Sequence, residues 1–197
     1  MKIINKNLVL SILICSTTIL HAQWGNKKVK GNGDVTTITR TTSDYDVIKC
    51  AGFMDFILVK GEEGTIKIEG EENLINYIVT EVKDNKLIVK VENGINLRTS
   101  WSKGIIITIP FKDINKVSLA GSGDVWNKDV IEEKDLRVSL AGSGDINLKV
   151  KTENIDSNIS GSGDIRLTGN TNNLDTSVTG SGDFHGFELD SNNTNVS

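Results

Sequence analysis

Four aspartates recur at nearly constant spacing, and each directly follows a Gly-Ser-Gly triplet. They are Asp124, Asp145, Asp164 and Asp183, at intervals of 21, 19 and 19 residues. Repeated carboxylates can bind Ca²⁺, which takes several oxygen ligands. Carboxylates about 5 to 9 Å apart can also hydrolyse glycosides. The third alternative is structural: each carboxylate caps the amides of its own turn, at about 1 kcal/mol per hydrogen bond.

Catalysis is the least favoured of these chemistries. A repeat places the same carboxylate in the same surroundings every time, whereas a general acid and a general base need different surroundings to separate their pKa values. His185 has no nucleophile motif around it, and we expect it at the rim of the molecule. We therefore predict no catalytic residues and no cofactor, with calcium at the four aspartates as the alternative.

The triplets that precede these aspartates predict the architecture. We call the four Gly-Ser-Gly-Asp segments the glycine turns; their glycines are Gly121, Gly123, Gly142, Gly144, Gly161, Gly163, Gly180 and Gly182. Both glycines of a turn can adopt positive φ without steric cost. A period near 20 residues with apolar residues in phase indicates stacked rungs that bury one another's apolar faces.

The apolar residues around the glycine turns alternate with polar ones, as expected of strands with one face inward. Two interior columns are predicted. The first, two residues before each turn, contains Leu119, Leu140, Ile159 and Val178. The second, four residues after the first glycine, contains Val125, Ile146, Ile165 and Phe184.

Two weaker rungs are predicted upstream in the same phase. One is Gly31-Asn-Gly-Asp34, flanked by Val29 and Val35, and the other surrounds Gly52, flanked by Cys50 and Phe56. On this alignment Asp34 and Asp55 extend the column of aspartates. Cys50 takes an interior position, which favours a buried core residue over a reactive thiol.

Residues 45–110 are predicted to be a less regular part of the same domain. Strands are expected at 65–69, at 86–91 and at 103–109, the last ending at Pro110. Apolar residues at helical spacing within 71–82 indicate a short helix or turn, or else a wider loop.

The amino terminus has the layout of a secretory signal peptide over residues 1–22, with cleavage expected after Ala22. Lipidation of Cys15 is an alternative, disfavoured because bulky Ile14 precedes it. After cleavage Cys50 is the single cysteine, so no internal disulfide can form. No transmembrane span remains, and residues 23–44 form an amino-terminal leader.

The charge of the chain argues against nucleic acid as a partner. The formal charge is −4, and it becomes −6 once Lys2 and Lys6 leave with the signal peptide. Exposed tryptophans are a common means of holding a sugar ring or a partner side chain. We therefore expect Trp101 and Trp126 to contact a ligand, a glycan or a protein, unless they cap the ends of the stack instead.

The chain resembles the head GIN domain family of auto-transporter adhesins from about Tyr45 to its end. The likeness rests on residues 46–56, 72–79, 86–90 and 105–110 and on the four glycine turns. The resemblance implies a right-handed parallel β-helix-like fold and an adhesion role, and it implies no catalytic residues.

These observations predict an all-β solenoid domain over residues 45–197, with regular rungs over 115–197. Val196 lies where the next rung would begin, so we expect an incomplete last rung that can self-associate. The expected function is a non-catalytic binding or adhesion module, exported to the periplasm, outer membrane or cell surface. The alternatives are a self-associating envelope scaffold and a polysaccharide-acting β-helix enzyme.

Overall fold

The computed structural model describes residues 26–100 and 104–197, and this part of the chain is almost entirely β-structure. The predicted all-β class is confirmed. The described residues include no helix with the length and apolar character needed to cross a membrane. The predicted signal peptide, Cys15 and Trp101 lie outside the described residues.

Nine strands and one helical turn precede the glycine turns. They are β1 (Lys27–Lys30), β2 (Val35–Thr41), β3 (Val47–Gly52), β4 (Asp55–Lys60), β5 (Thr65–Glu71), α1 (Glu72–Ile75), β6 (Ile78–Lys83), β7 (Lys86–Val91), β8 (Ile95–Arg98) and β9 (Ile106–Phe111).

Six strands contain or border the glycine turns. They are β10 (Lys116–Gly121), β11 (Val125–Asn127), β12 (Ile131–Gly142), β13 (Ile146–Gly161), β14 (Ile165–Gly180) and β15 (Phe184–Val196). Strands β13 and β14 each begin just after one glycine turn and end on the first glycine of the next.

Successive strands of the repeat region stack in parallel and in register. β10, β12, β13 and β14 pair in that order, so that Gly121, Gly142, Gly161 and Gly180 lie above one another. β3 stacks on the other side of β10 and pairs Gly52 with Gly121, although 69 residues separate them in sequence. The weak rung at Gly52 is thus confirmed as the neighbour of the first full rung.

The strands between Gly52 and Gly121 extend the stack at its β3 and β4 end. β7 pairs in parallel with β3, and β9 pairs in parallel with β4. β6, β5 and β2 then add antiparallel strands at the two edges.

The strand expected to end at Pro110 extends beyond it. β9 continues through Pro110 to Phe111. The proline is tolerated because β5 covers only Ile106 to Thr108, which leaves that side of Pro110 without a ladder partner. The helical spacing within 71–82 corresponds to α1, which is a single turn because the chain enters β6 at Ile78.

The predicted rung at Gly31 is wrong. β2 runs antiparallel to β5, and β1 pairs with β8, so this segment does not enter the stack of turns. Val35, expected in the interior, is 54% exposed. The segment expected to be a leader nevertheless supplies two strands to the fold.

Both predicted interior columns are confirmed. The first aligns Cys50, Leu119, Leu140, Ile159 and Val178. The second aligns Phe56, Val125, Ile146, Ile165 and Phe184. Cys50 is buried, and burial raises the pKa of its thiol, as expected for a core residue without thiolate reactivity.

A third interior column changes from apolar to polar side chains along the stack. Ile48, Val117 and Val138 align at its start, and Ser157 and Thr176 continue it. The hydroxyls of Ser157 and Thr176 are fully buried, and neither has a hydrogen-bond partner among the described residues. The late rungs are therefore stabilised less by their core than the early ones.

Both glycines of each turn lie too close to the preceding turn to carry a Cβ, and the first also has positive φ. The first has positive φ, 137° at Gly142, and the second does not, which corrects the expectation that both would. The carbonyl of Gly121 accepts hydrogen bonds from the amides of Ser143 at 2.9 Å and Gly144 at 3.1 Å. A Cβ on Gly144 would lie 1.8 Å from the carbonyl oxygen of Gly123.

Replacement of the second glycine is therefore expected to disrupt the stack. We predict that Gly144→Ala lowers the free energy of unfolding by about 3 kcal/mol, because the added methyl group forces adjacent turns apart. Urea denaturation followed by circular dichroism measures the change. Ser143→Ala is the matched control, since this side chain is exposed. It should change stability by less than about 0.5 kcal/mol. Equal effects of the two substitutions would contradict the close contact.

A buried carboxylate holds the amino-terminal segment against the domain. Glu71, which is 2% exposed, accepts hydrogen bonds from the amide of Gly33 at 2.6 Å and from the amide of Ser100 at 2.9 Å. The Ser100 hydroxyl also donates to it. Burial alone would raise the pKa of Glu71, but these hydrogen bonds outweigh it and hold the pKa below the ordinary value of 4.5.

This carboxylate should contribute to acid sensitivity. Because the pKa is lower in the folded state, its contribution is complete above the ordinary pKa and is lost as the pH falls through the folded-state value. We predict that Glu71→Gln lowers the melting temperature at neutral pH and flattens its decline below about pH 5. Thermal melts across pH test this, with exposed Glu72→Gln as the control. If the melting temperature of Glu71→Gln declined at low pH as steeply as that of the unchanged protein, Glu71 would not contribute to the acid sensitivity.

Candidate functional site

The repeated aspartates form a continuous hydrogen-bonded column. Each carboxylate accepts a hydrogen bond from the backbone amide of the aspartate in the next turn, at 2.9 Å for Asp124 to Asp145, Asp145 to Asp164 and Asp164 to Asp183. Asp55 begins the column by accepting from the amide of Asp124 at 3.2 Å. We call these five residues the aspartate ladder. The first four carboxylates therefore each cap the next turn, which corrects the expectation that each would cap its own.

Two carboxyls of the aspartate ladder have pKa values shifted in opposite directions. Burial raises the pKa of Asp55, against the amide hydrogen bond of Asp124, and the charge of Asp124 adds to the rise. At Asp164, the amide hydrogen bond of Asp183 and the nearby His185 lower the pKa. These two carboxyls are three strand spacings apart, about 14 Å. That separation exceeds the roughly 5 to 9 Å of a glycosidase pair, so they do not form one.

His185 lies beside the end of the aspartate ladder. Its Nε2 is 3.4 Å from Oδ2 of Asp164. It aligns with Arg166 in the outward column that also contains Asn147 and Trp126. The register of β15 shifts immediately afterwards, at a bulge opposite Leu167, and Phe187 in this bulge is 94% exposed. The His185 side chain is half-buried and lies next to this surface bulge, consistent with the rim position expected for it.

A second polar feature lies on strands β12 to β15, away from the glycine turns. It is a groove of about 900 Å³. Its floor runs along Leu136, Ile155 and Leu174, whose side chains are buried in the hydrophobic core, in one column that Thr194 extends. Polar side chains stand on both sides of this floor. We call this feature the polar groove.

One wall of the polar groove is a ladder of carboxamides. Asp135 accepts from the side-chain amide of Asn154 at 2.6 Å, Asn154 from Asn173 at 2.7 Å, and Asn173 from Asn193 at 2.9 Å. We call these four residues the amide ladder. Asn154 and Asn173 each use one N–H and one acceptor lone pair within the ladder, so a second N–H and a further lone pair stay available to a ligand.

The opposite wall carries charge. Arg137, Asp156 and Asp175 align there with Asn195, and the Arg137 guanidinium donates to Asp156 at 2.8 Å. The lining as a whole contains three basic and four acidic side chains, so the groove is close to neutral. At one end, burial and the charge of Asp113 raise the pKa of Glu133.

The polar groove was missed at the level of sequence, although a signal for it exists. Asp135, Asn154 and Asn173 each lie seven residues before the first glycine of a turn. Extending the alignment beyond the two apolar columns would have revealed this polar column.

Trp126, the other tryptophan predicted to contact a ligand, is half-buried. It points outward beside Val125, on strands that follow the glycine turns. It does not line the polar groove. Contact with a ligand at Trp126, like calcium binding at the aspartate ladder, stays a prediction.

Solved structures with the same fold come from Bacteroides and Parabacteroides species. A "putative adhesin" from Bacteroides fragilis superposes with a TM-score of 0.74 at 21% sequence identity, covering 85% of this chain and 78% of that one. A "putative lipid binding protein" from Parabacteroides distasonis gives a TM-score of 0.71 at 23% identity. A "putative adhesin" from Parabacteroides merdae gives 0.67 at 24% identity. For both Parabacteroides proteins, the match covers 86% of this chain and 80% of the other.

No curated protein is significantly similar in sequence to the chain. A family model does match, over residues 44–197, and its description is "Putative auto-transporter adhesin, head GIN domain". The match spans the glycine turns, the aspartate ladder and the polar groove, and it agrees with the resemblance found in the sequence. The chain therefore belongs to the head GIN domain family.

Proposed function

We propose that this protein is an exported, non-catalytic binding module of the bacterial envelope or cell surface, and that it binds a glycan in the polar groove. The observation that carries the proposal is the amide ladder along one wall of the polar groove. The description of the family as an adhesin supports a surface ligand. Export is supported by the signal-peptide pattern of residues 1–22.

The chemistry of the polar groove suits a neutral, hydroxyl-rich ligand. A carboxamide both donates and accepts, so it can pair with adjacent hydroxyl groups of a sugar. The hydrogen bonds within the amide ladder hold each side chain in place before binding, which reduces the entropy lost on association.

The arrangement also favours an extended ligand. Asn154, Asn173 and Asn193 lie on three consecutive strands, about 4.8 Å apart. A chain lying across the strands would meet the same donors and acceptors on each one. We further propose that the rungs form the right-handed parallel β-helix-like solenoid implied by the family, because only a regular stack keeps this spacing constant.

A scaffold role is the alternative. β15 pairs with β14 alone among the described strands, so its other edge is free to pair with a further strand. Self-association through this edge would appear as a molecular mass in solution that increases with protein concentration. Measurements of binding and of size therefore distinguish the two functions.

Loss of the amide ladder is expected to weaken glycan binding. We predict that the Asn154→Ala, Asn173→Ala double variant of the full-length chain binds its glycan about 10- to 100-fold more weakly, because two or more hydrogen bonds are lost. Glycan-array screening identifies the ligand, and calorimetry measures the affinities.

Asn147→Ala is the matched control for this test. Asn147 is an exposed asparagine on the same strand, β13, but lies outside the polar groove, so its loss should leave affinity unchanged. Undiminished glycan binding by the double variant would place the ligand elsewhere. Binding to surface proteins but to no glycan on the array would also reject the proposal.

A further inference from the structure

The end of the aspartate ladder carries a donor set that the rest of the ladder lacks. Asp164, Asp183 and His185 each offer one donor atom around a common point, and the three atoms lie within 4.8 Å of one another. At the earlier turns the residue in the position of His185 is Trp126, Asn147 or Arg166. An imidazole therefore joins the carboxylates at this single rung of the described stack.

The carboxylate of Asp164 is oriented toward this point. Its Oδ1 accepts the amide of Asp183 at 2.9 Å, which fixes the plane of the group and leaves Oδ2 facing Nε2 of His185 at 3.4 Å. The side chains of His185 and Asp164 are 27% and 42% exposed, so the point is open to water on one side.

The distance between these two atoms suits a shared ion better than a direct hydrogen bond. An N–H···O hydrogen bond is usually about 2.9 Å long. Two ligands of a tetrahedral Zn²⁺ with bonds of about 2.1 Å lie about 3.4 Å apart. Asp183 is exposed, and its donor oxygen lies within 4.8 Å of both of these atoms.

Electrostatics also favour a cation here. The five carboxylates of the aspartate ladder are stacked about 4.8 Å apart and repel one another. Within residues 26–100 and 104–197, no lysine or arginine forms an ion pair with any of them. Arg166 lies near Asp164 and offsets part of this charge.

We propose that Asp164, Asp183 and His185 bind a divalent transition metal of the Zn²⁺ type, with a fourth position open to water or to a ligand. The imidazole nitrogen selects against Ca²⁺, which binds through about six to eight oxygen atoms. Two carboxylates with one imidazole are a donor set that Zn²⁺ accepts. Metal binding at this rung is independent of glycan binding in the polar groove.

Titration of the full-length chain with Zn²⁺ tests this site. We expect calorimetry to detect one Zn²⁺ whose affinity falls at least about 10-fold in His185→Gln and in Asp164→Asn. Asp164→Asn keeps an oxygen for the Asp183 amide, so the turn should remain intact. The matched control is Asp145→Asn, which makes the same change one rung earlier and should leave Zn²⁺ affinity unchanged.

Co²⁺ gives a readout that does not depend on any variant. Its visible absorption in the wild-type protein should indicate tetrahedral coordination, and the imidazole signals of His185 should shift on addition of Zn²⁺. Zn²⁺ binding that is equally tight in His185→Gln would overturn the proposal. So would Ca²⁺ binding tighter than Zn²⁺ binding, which would instead identify an oxygen-only site on the aspartate ladder.

Discussion

The close approach of successive glycine turns is the constraint on which the rest of the structure depends. The first glycine of each turn presents its carbonyl to two amides of the next turn, and there is no space between them for a Cβ. Backbone polar groups that would otherwise be unpaired at every corner are satisfied by the neighbouring rung. Because the contact fits in one register, it also fixes the alignment of every strand that enters or leaves a turn.

Fixed register converts repeated residues into ladders. On the inner face, aligned apolar side chains form the columns of the core. On the outer face, the same register stacks Asn154, Asn173 and Asn193 into the amide ladder, and it brings Asp164 and Asp183 beside His185. The amide ladder therefore arises from asparagine repeated at one position of successive rungs, whereas the donor set at the end of the aspartate ladder arises from a single histidine. Buried Ser157 and Thr176 show that the core tolerates polar substitution in the rungs that carry these sites.

The repeat region could largely be predicted from sequence, and the surrounding parts could not. The 19- to 21-residue period specified the two apolar columns, and the place of Cys50 followed from it. The same repeat alignment predicted a rung at Gly31 that is wrong. A Gly-x-Gly-Asp pattern alone does not reveal that β2 pairs antiparallel with β5. The second glycine of each turn was assigned to positive φ, whereas its actual requirement is the approach of another rung, a non-local contact. The polar groove was missed because the alignment stopped at the apolar columns, although Asp135, Asn154 and Asn173 recur with the same period.

Native-state hydrogen exchange at the glycine turns tests the stacking constraint most directly. The amides of Ser143, Gly144 and Asp145 are all donated to groups of the preceding turn. If this stacking organises the fold, they exchange as slowly as the amides of the buried strand residues Val138 and Leu140, through global unfolding. Exchange of these turn amides at the fast rate typical of surface loops would show that the turns are open connections, and it would contradict a fold organised by their stacking.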